Sequence, residues 1–294
     1  MADTRVIARE ARLDHLETLR RAFSGGGGGV SALIASCRAH QADRSEAELI
    51  ERLPEIIAAL DTLPRTDRAA VREVLATLTS GMTFDLAAFP GEDERGLTAL
   101  ATPAELDRYV YLVAGCVGEF WTKLHAAHRR RLARWDVAHM SVDGVRFGKA
   151  LQMTNVLRDI PRDLRHGRCY VPASELAAHG LTPADLLDAA AMEKFRPLQT
   201  SLLAVADAHY AAGWRYTFAI PRAEWRMRLA CAWPLLIGEA TLAALESHPN
   251  PLGAGAPVKI TRATVRGILA RSTVAMWSNR ALAAEAARLR AARV

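Results

Sequence analysis

Strongly apolar uncharged runs such as 229–238 reach about ten residues, well short of the roughly 18 to 20 that a bilayer-crossing helix needs; a soluble or peripheral protein is expected. Cysteine is scarce. The four present, Cys37, Cys116, Cys169 and Cys231, lie far apart and no secretory signal precedes them, so reduced thiols in a cytoplasmic protein are expected, with no disulfide and no zinc site. The nine histidines include no His-Glu-x-x-His set, and His125 with His128 reads as a helix-surface pair. No stretch alternates apolar and polar residues between turn signals, which excludes an extensive sheet and predicts an all-α fold. There is no internal repeat, and the one low-complexity segment, the five glycines at 25–29, reads as a flexible linker. A phosphate-cradling loop would need a Lys or Ser/Thr in register at a helix start, and Gly29-Val30-Ser31 offers only a weak version.

What the chain does have is charge of mixed sign with a basic surplus. Lys and Arg number 38 against 32 Asp and Glu, giving a net charge of +6 and a pI near 9.4. That balance suits an anionic partner. Nucleic acid is not expected, because the basic residues are spread along the chain and accompany no binding motif. The cluster Arg129, Arg130, Arg131 and Arg134 reads as a solvated loop end rather than a lipid contact.

At 294 residues, half of them apolar, the chain can bury a large core, and one helical domain over 1–294 is expected. Helical periodicity marks 9–23, 30–38, 46–60, 66–86, 193–216, 222–246 (interrupted at Pro234) and 263–275, with an extended link at 257–262. Thr102-Pro103-Ala104-Glu105 is a capping box that opens another helix. Ser174 is expected to cap a short helix closed by Gly180, and Thr182-Pro183-Ala184-Asp185 to cap the next. In the helix after Thr102, Gly115 and Gly118 expose backbone on one face, which costs helix stability unless a neighbouring helix or a ligand chain packs there.

The most informative stretch is 148–172. On a helix at about 100° per residue, Gln152, Asn155, Asp159 and Asp163 fall within about a quarter of the circumference. Two carboxylates at i and i+4 repel unless a cation neutralises them, and an all-oxygen set favours Mg²⁺. The alternative is a face on which Asp159 and Asp163 pair with the interleaved Arg158 and Arg162.

Residues 151–172 resemble the second acidic motif of the squalene and phytoene synthase family, Gln-x-x-Asn-x-x-Arg-Asp-x-x-x-Asp followed by Gly-Arg-x-Tyr-x-Pro. Gln152, Asn155, Arg158, Asp159, Asp163, Gly167, Arg168, Tyr170 and Pro172 all match. Residues 109–118 are similar to the family's tyrosine-rich Val-Ala-Gly-x-Val-Gly helix, Phe218-Ala219-Ile220-Pro221 to its Phe-x-x-Ile-Pro segment, and Val258-Lys259-Ile260 to the Val-Lys-Ile link of squalene synthases. The resemblance spans residues 1 to 275.

It implies one isoprenoid-synthase-type bundle around a deep apolar cavity, joining two farnesyl diphosphates, or longer prenyl diphosphates, head to head through a cyclopropyl diphosphate. By that resemblance Asp159 and Asp163 hold Mg²⁺. Asn155, Arg158 and Arg168 supply hydrogen bonds and positive charge to a diphosphate, with Gln152 and Tyr170 in the same site. Tyr109 would stand near the reacting carbons, and Gly115 and Gly118 would leave room for an isoprenoid chain. Lys259 and Arg262 would meet NADPH. The family's first acidic motif, Asp-Thr-Ile-x-Asp, is not found whole; Asp3, followed by Thr4, reads as its last acid and a further metal ligand. Asp61-Thr62-Leu63 lies too late and runs into Pro64. The chain is therefore expected to begin inside that motif, without the family's upstream Ser-Arg segment. Leu112 stands where squalene synthases carry a tyrosine, which favours phytoene or dehydrosqualene without NADPH, while the Val-Lys-Ile link favours squalene, the leading reading. A non-catalytic prenyl-diphosphate-binding paralogue is the third. The insoluble product and basic surface also suit a peripheral contact with an acidic inner membrane face.

Overall fold

The computed structural model describes residues 7–26, 28–38, 44–254 and 257–291, which form helices and their connections apart from two strands of two residues each. Asp3 lies outside the described residues. The fold is all-α. Two compact units divide the chain, one ending at Pro90 and the other beginning at Gly91.

The first unit holds α1 (Arg9–Phe23), α2 (Val30–Arg38), α3 (Arg44–Glu51), α4 (Leu53–Asp61) and α5 (Arg65–Ala88). The single helix expected over 46–60 is two. Pro54 falls in the first turn of α4, and its ring and missing N–H cannot continue the preceding ladder, so the helix stops and restarts. Ile7, Ala22, Val30, Leu33, Cys37 and Leu53 make the apolar core of this unit. Arg9 Nε donates to Leu86 O at 2.9 Å, tying the start of α1 to the end of α5.

The second unit opens with β1 (Thr98–Ala99) and α6 (Pro103–Val110). The capping box forms: Thr102 accepts from Glu105 N at 3.3 Å and the Glu105 carboxylate accepts from Ala101 N at 2.6 Å. Helix α6 passes through one π-helical turn, Tyr111–Gly115, into α7 (Cys116–His128), and the chain then turns into α8 (Val137–Arg165). Its 29 residues make α8 roughly 44 Å long, and it is the axis of the unit. A Cβ on Gly118 would lie 1.8 Å from Gly144 O, and one on Gly148 2.3 Å from Ala114 O. The π turn, α7 and α8 therefore meet backbone to backbone.

After β2 (Arg168–Cys169) come α9 (Ala173–Ala178), α10 (Met192–Ala219), α11 (Trp225–Ser247), α12 (Arg262–Ala275) and α13 (Asn279–Ala291). Helix α9 starts after Pro172 with no side-chain cap, not at Ser174. Thr182 N and Oγ1 both donate to Asp185 Oδ2, at 2.7 and 2.8 Å, closing a 3-10 turn rather than opening an α-helix. Helix α11 runs unbroken through Pro234, against the expected interruption; a proline there removes one ladder bond, to Ala230 O, which the rest of the helix tolerates.

Residues Arg222–Ser247 are long and apolar enough to cross a membrane by length and composition, a property that counting uncharged runs missed because charges punctuate the segment. Two thirds of its apolar window, 67%, is buried in the protein. Within it Glu239 is fully buried, accepting from Trp214 Nε1 at 2.6 Å and paired with Arg290. Arg228, also fully buried, donates to Thr217 O, Ile220 O, Met276 O and Asn279 Oδ1, so one guanidinium ties together the α10–α11 and α12–α13 turns.

Stability should respond at two places. Gly118→Ala forces apart two backbones with no flexible side chain to yield, and overpacking of this kind costs about 1–3 kcal/mol; a lower midpoint in urea unfolding with the slope unchanged is expected, and an unchanged midpoint would mean that α7 does not press on α8. Between α8 and α10, Arg146 Nε donates to His209 Nδ1 at 3.4 Å, and burial together with Arg146 and Lys149 pushes His209 down to about 4. The unfolded chain takes up this proton below about 6.5 and the folded chain only near 4, so this contribution is lost as pH falls through that window. The thermal midpoint of His209→Gln should therefore fall less between pH 7 and pH 5 than that of the unsubstituted protein.

Candidate functional site

Helix α8 delivers the predicted acidic face, and it is not a solvated one. Asp159 is 4% exposed. Arg158 Nε and Nη2 each donate to it at 2.8 Å, one to each oxygen, and Arg162 Nη2 adds a third bond at 3.0 Å. Asp163, one turn on, receives only the edge of Arg162, with both contacts at 3.3 Å. Burial pushes the Asp163 carboxyl up to about 6, with the Asp159 charge adding to the shift and Arg162 and Arg168 opposing it. Arginine pairing and a desolvated acidic face thus coexist, and of the two acids Asp163 is the less compensated.

The segment after α8 is held by close backbone packing. Gly167 adopts φ +77°, in the left-handed region, and a Cβ there would meet Asp93 O at 2.9 Å and Gly91 at 3.0 Å, so only glycine fits. Parallel pairing of Thr98 with Arg168 and Ala99 with Cys169 fixes the backbone that leads into Tyr170. Arg168 comes close enough to act on the Asp163 charge. Tyr170 is buried and stacks on Tyr109 with ring centroids 4.6 Å apart and planes at 25°. Tyr109 in turn accepts from Gln152 Nε2 at 3.4 Å, and Asn155 Nδ2 donates to Gln152 Oε1 at 3.4 Å. Gln152, Asn155, Arg158, Asp159, Asp163, Arg168, Tyr170 and Tyr109 therefore form one continuous constellation.

Beside it lies an apolar cavity of about 350 Å³, walled by Val113, Val117, Trp121, Phe147, Leu151 and Tyr216, with Cys231 and Pro234 from α11. Gln152 lines the cavity too, and so belongs to both halves. Sequence reasoning did not pick out Trp121, Phe147, Tyr216 or Cys231. The available signal was the apolar row Gly144, Phe147, Gly148, Leu151 at helical spacing on α8. Of the two glycines expected to leave ligand space, Gly118 lines the cavity and Gly115 does not. Gly115 packs against Tyr111, Val145 and Lys149, and Gly118 against the α8 backbone, with only Gly118 also reaching the cavity. Lys259 and Arg262 are exposed and flank the start of α12, with neither on the cavity wall.

Among the described residues no three His, Cys, Asp or Glu side chains gather as a metal cage. Mg²⁺ does not require one, since it commonly takes one or two carboxylates and completes its shell with water and substrate phosphates. Asp163, half-buried and under-compensated, with the buried Asp159 one turn away and the Asn155 amide on the same face, fits that mode.

Several known proteins are similar to this chain. A family model described as squalene/phytoene synthase matches residues 2–264. A bifunctional lycopene cyclase/phytoene synthase of Arthroderma gypseum is 35% identical over 140 residues, 47% of this chain and 23% of that protein. The phytoene synthase of Thermus thermophilus is 36% identical over 118 residues, 40% of this chain and 38% of that one. These matches span between about a quarter and two fifths of the curated relatives' lengths. Among solved structures, TcSQS in complex with the ligand BPH1237 superposes with a TM-score of 0.74 at 21% identity, covering 98% of this chain and 78% of that one, a likeness of fold.

The electrostatics of Asp163 can be measured directly. In the metal-free protein its carboxyl, followed by ¹³C NMR, should titrate near 6. With saturating Mg²⁺ and inorganic pyrophosphate it should drop by a unit or more. A titration near the ordinary carboxylate value without metal would show that the face is solvated.

Proposed function

Because this chain belongs to the squalene/phytoene synthase family, we propose that it joins two prenyl diphosphates head to head, binding their diphosphates at the buried acidic face of α8 and their chains in the adjoining apolar cavity. The observation that carries this reading is the position of Gln152, which lines the cavity and is hydrogen-bonded to Tyr109 beside the acidic face. A molecule with an anionic head and an apolar tail is the ligand such a junction suits.

Ionisation of an allylic C–O bond places negative charge on the departing diphosphate and leaves a carbocation. Held by Asp159 and Asp163, Mg²⁺ would neutralise the leaving group. The chain's own residues act at the same place. Arg158 and Arg168 present fixed positive charge and Asn155 an amide N–H, and such preorganised donors act most strongly where water is excluded. The cavity wall keeps water from the cation. Rings of Tyr109 and Tyr170, stacked and buried at the junction, present π faces that attract positive charge. Loss of a proton after the second chain attacks closes the cyclopropane, and departure of the second diphosphate starts its rearrangement.

For the product we propose squalene from two farnesyl diphosphates, with NADPH as hydride donor, supported by Val258-Lys259-Ile260 and by Lys259 and Arg262, exposed cations that suit the phosphates of NADPH. Leu112 and the phytoene synthases among the relatives favour a second reading, phytoene or dehydrosqualene without reductant. Incubation with farnesyl diphosphate and Mg²⁺, with and without NADPH, followed by mass spectrometry of the hydrocarbon, separates them. Squalene only when NADPH is present is expected, and dehydrosqualene despite ample NADPH would reject it. Asp159→Ala should lower product formation by roughly 10²-fold or more. If no hydrocarbon forms under any condition while prenyl diphosphate binding persists, the protein is a binding paralogue.

A further inference from the structure

Three connections come together at the end of the second unit that is remote from the acidic face. Arg129 and Arg131, between α7 and α8, both bond Glu224 in the α10–α11 turn, at 2.8 and 3.3 Å. Trp135 Nε1 reaches Ala219 O at 3.4 Å. Arg228 and Asn279 bind the α12–α13 turn to the same place, through Met276 O and Phe218 O. Connections 129–136, 220–226 and 276–280 therefore share one surface.

Its composition is unlike that of the rest of the chain. The three segments carry seven arginines against two carboxylates, Asp136 and Glu224, and Glu224 is buried and already bonded by two of those arginines. Among the arginines stand exposed apolar side chains, which water does not favour: Trp277 at 53%, Trp225 at 39% and, on the last turn of α12, Val274 at 79%. Arg226 lies over the Trp225 ring with its guanidinium carbon 5.0 Å from the centroid. Tryptophan with arginine is the pairing that settles at a lipid–water interface, the indole at headgroup depth and the guanidinium on lipid phosphates.

We propose that this end of the bundle docks on an acidic bilayer surface, with Trp225 and Trp277 entering the headgroup layer and Arg130, Arg134 and Arg222 meeting lipid phosphates. Arg129, Arg130, Arg131 and Arg134 are exposed, as expected of a solvated loop end, and the proposal adds a lipid contact there. Helix α8 starts at this surface, and Asp163 lies 26 residues further along it, roughly 40 Å away, so the diphosphate end faces water while the bundle stands on the membrane. Cavity residues Phe147, Ala230 and Cys231 lie nearer the docking end than Asp163 does, a placement that suits passage of an apolar product into lipid. The docking proposal itself rests on the surface and not on which hydrocarbon is made.

The test is flotation of the whole protein with vesicles of phosphatidylcholine alone or mixed with phosphatidylglycerol, at low and high salt. Partition into the acidic vesicles, weakened by salt, is expected. Arg130→Glu with Arg134→Glu should lower it at least roughly tenfold. Trp225→Ser with Trp277→Ser should lower it without removing the salt dependence. Lys194→Glu, on the first turn of α10 near the opposite end, should leave it unchanged. All five positions are exposed, and thermal melting checks that each variant folds; if the tryptophan pair does not, the arginine pair still decides. Brominated lipids should quench indole fluorescence in the unsubstituted protein and do so less in the tryptophan pair. Equal partition into neutral vesicles, an equal loss in Lys194→Glu, or binding of double-stranded DNA at the same salt without binding of acidic vesicles would overturn the proposal.

Discussion

The contact on which the rest of the second unit depends is the one between the backbone of the π turn and α7 and the backbone of α8. Gly118 against Gly144, and Gly148 against Ala114, remove the side chains that would hold the helices apart. Helix α8 then serves as wall and ruler together. The same rod carries the cavity residues Gly144, Phe147, Gly148 and Leu151 and, beginning with Gln152, the polar face that ends at Asp163. From Gln152 to Asp163 is 11 residues, roughly 16 Å, so the distance between the apolar cavity and the far end of the acidic face is set by helical rise rather than by loops. The π turn at Tyr111–Gly115 adds to this by altering the register between Tyr109 and the glycine face of α7.

Two buried acids in this unit are held across helices, and the acids on the face of α8 are held differently. Asp143 pairs with Arg215 and Glu239 with Arg290, each acid nearly or fully buried and each held by an arginine from another helix. Such pairs roughly offset their own desolvation and add little net stability. On the face of α8 the arginines come from the same helix as the acids, and they saturate Asp159 before Asp163. Desolvation of Asp163 is left partly uncompensated, which raises its carboxyl to about 6. A desolvated, half-buried acid with too little positive charge around it is poised to gain a cation, and perturbation of this kind concentrates at working sites.

The two ends of α8 therefore meet different surroundings. At its C-terminal end, carboxylates, amides and Arg168 gather on one face. At its N-terminal end the surface is arginine with exposed tryptophan. The apolar cavity lies along the rod, and a substrate that is anionic at one end and apolar at the other would find complementary environments in order.

Much of this was legible in the residues. The helical period placed Gln152, Asn155, Asp159 and Asp163 on one face, the box at Thr102 marked a helix start, and the motif from Gln152 to Pro172 pointed to the family, because these depend on short-range spacing that a helix converts directly into geometry. Other features could not be read so. Whether Gly118 made room for a ligand or for a helix depended on what lay opposite, and Gly144 is 26 positions away. Pro234 looked like a break, yet α11 passes through it, because neighbouring helices supply the packing that offsets one lost hydrogen bond. Pairing of Asp159 with arginine and the burial of that pair were separate questions in the sequence and became one in the structure. The surface formed by Arg129–Arg134, Trp225 and Trp277 was three unrelated connections until the fold brought them to one end. Local chemistry and its periodicity were determined by the sequence alone; which faces met, and hence which charges lost their water, was decided only by tertiary packing, since desolvation depends on neighbours that are distant along the chain.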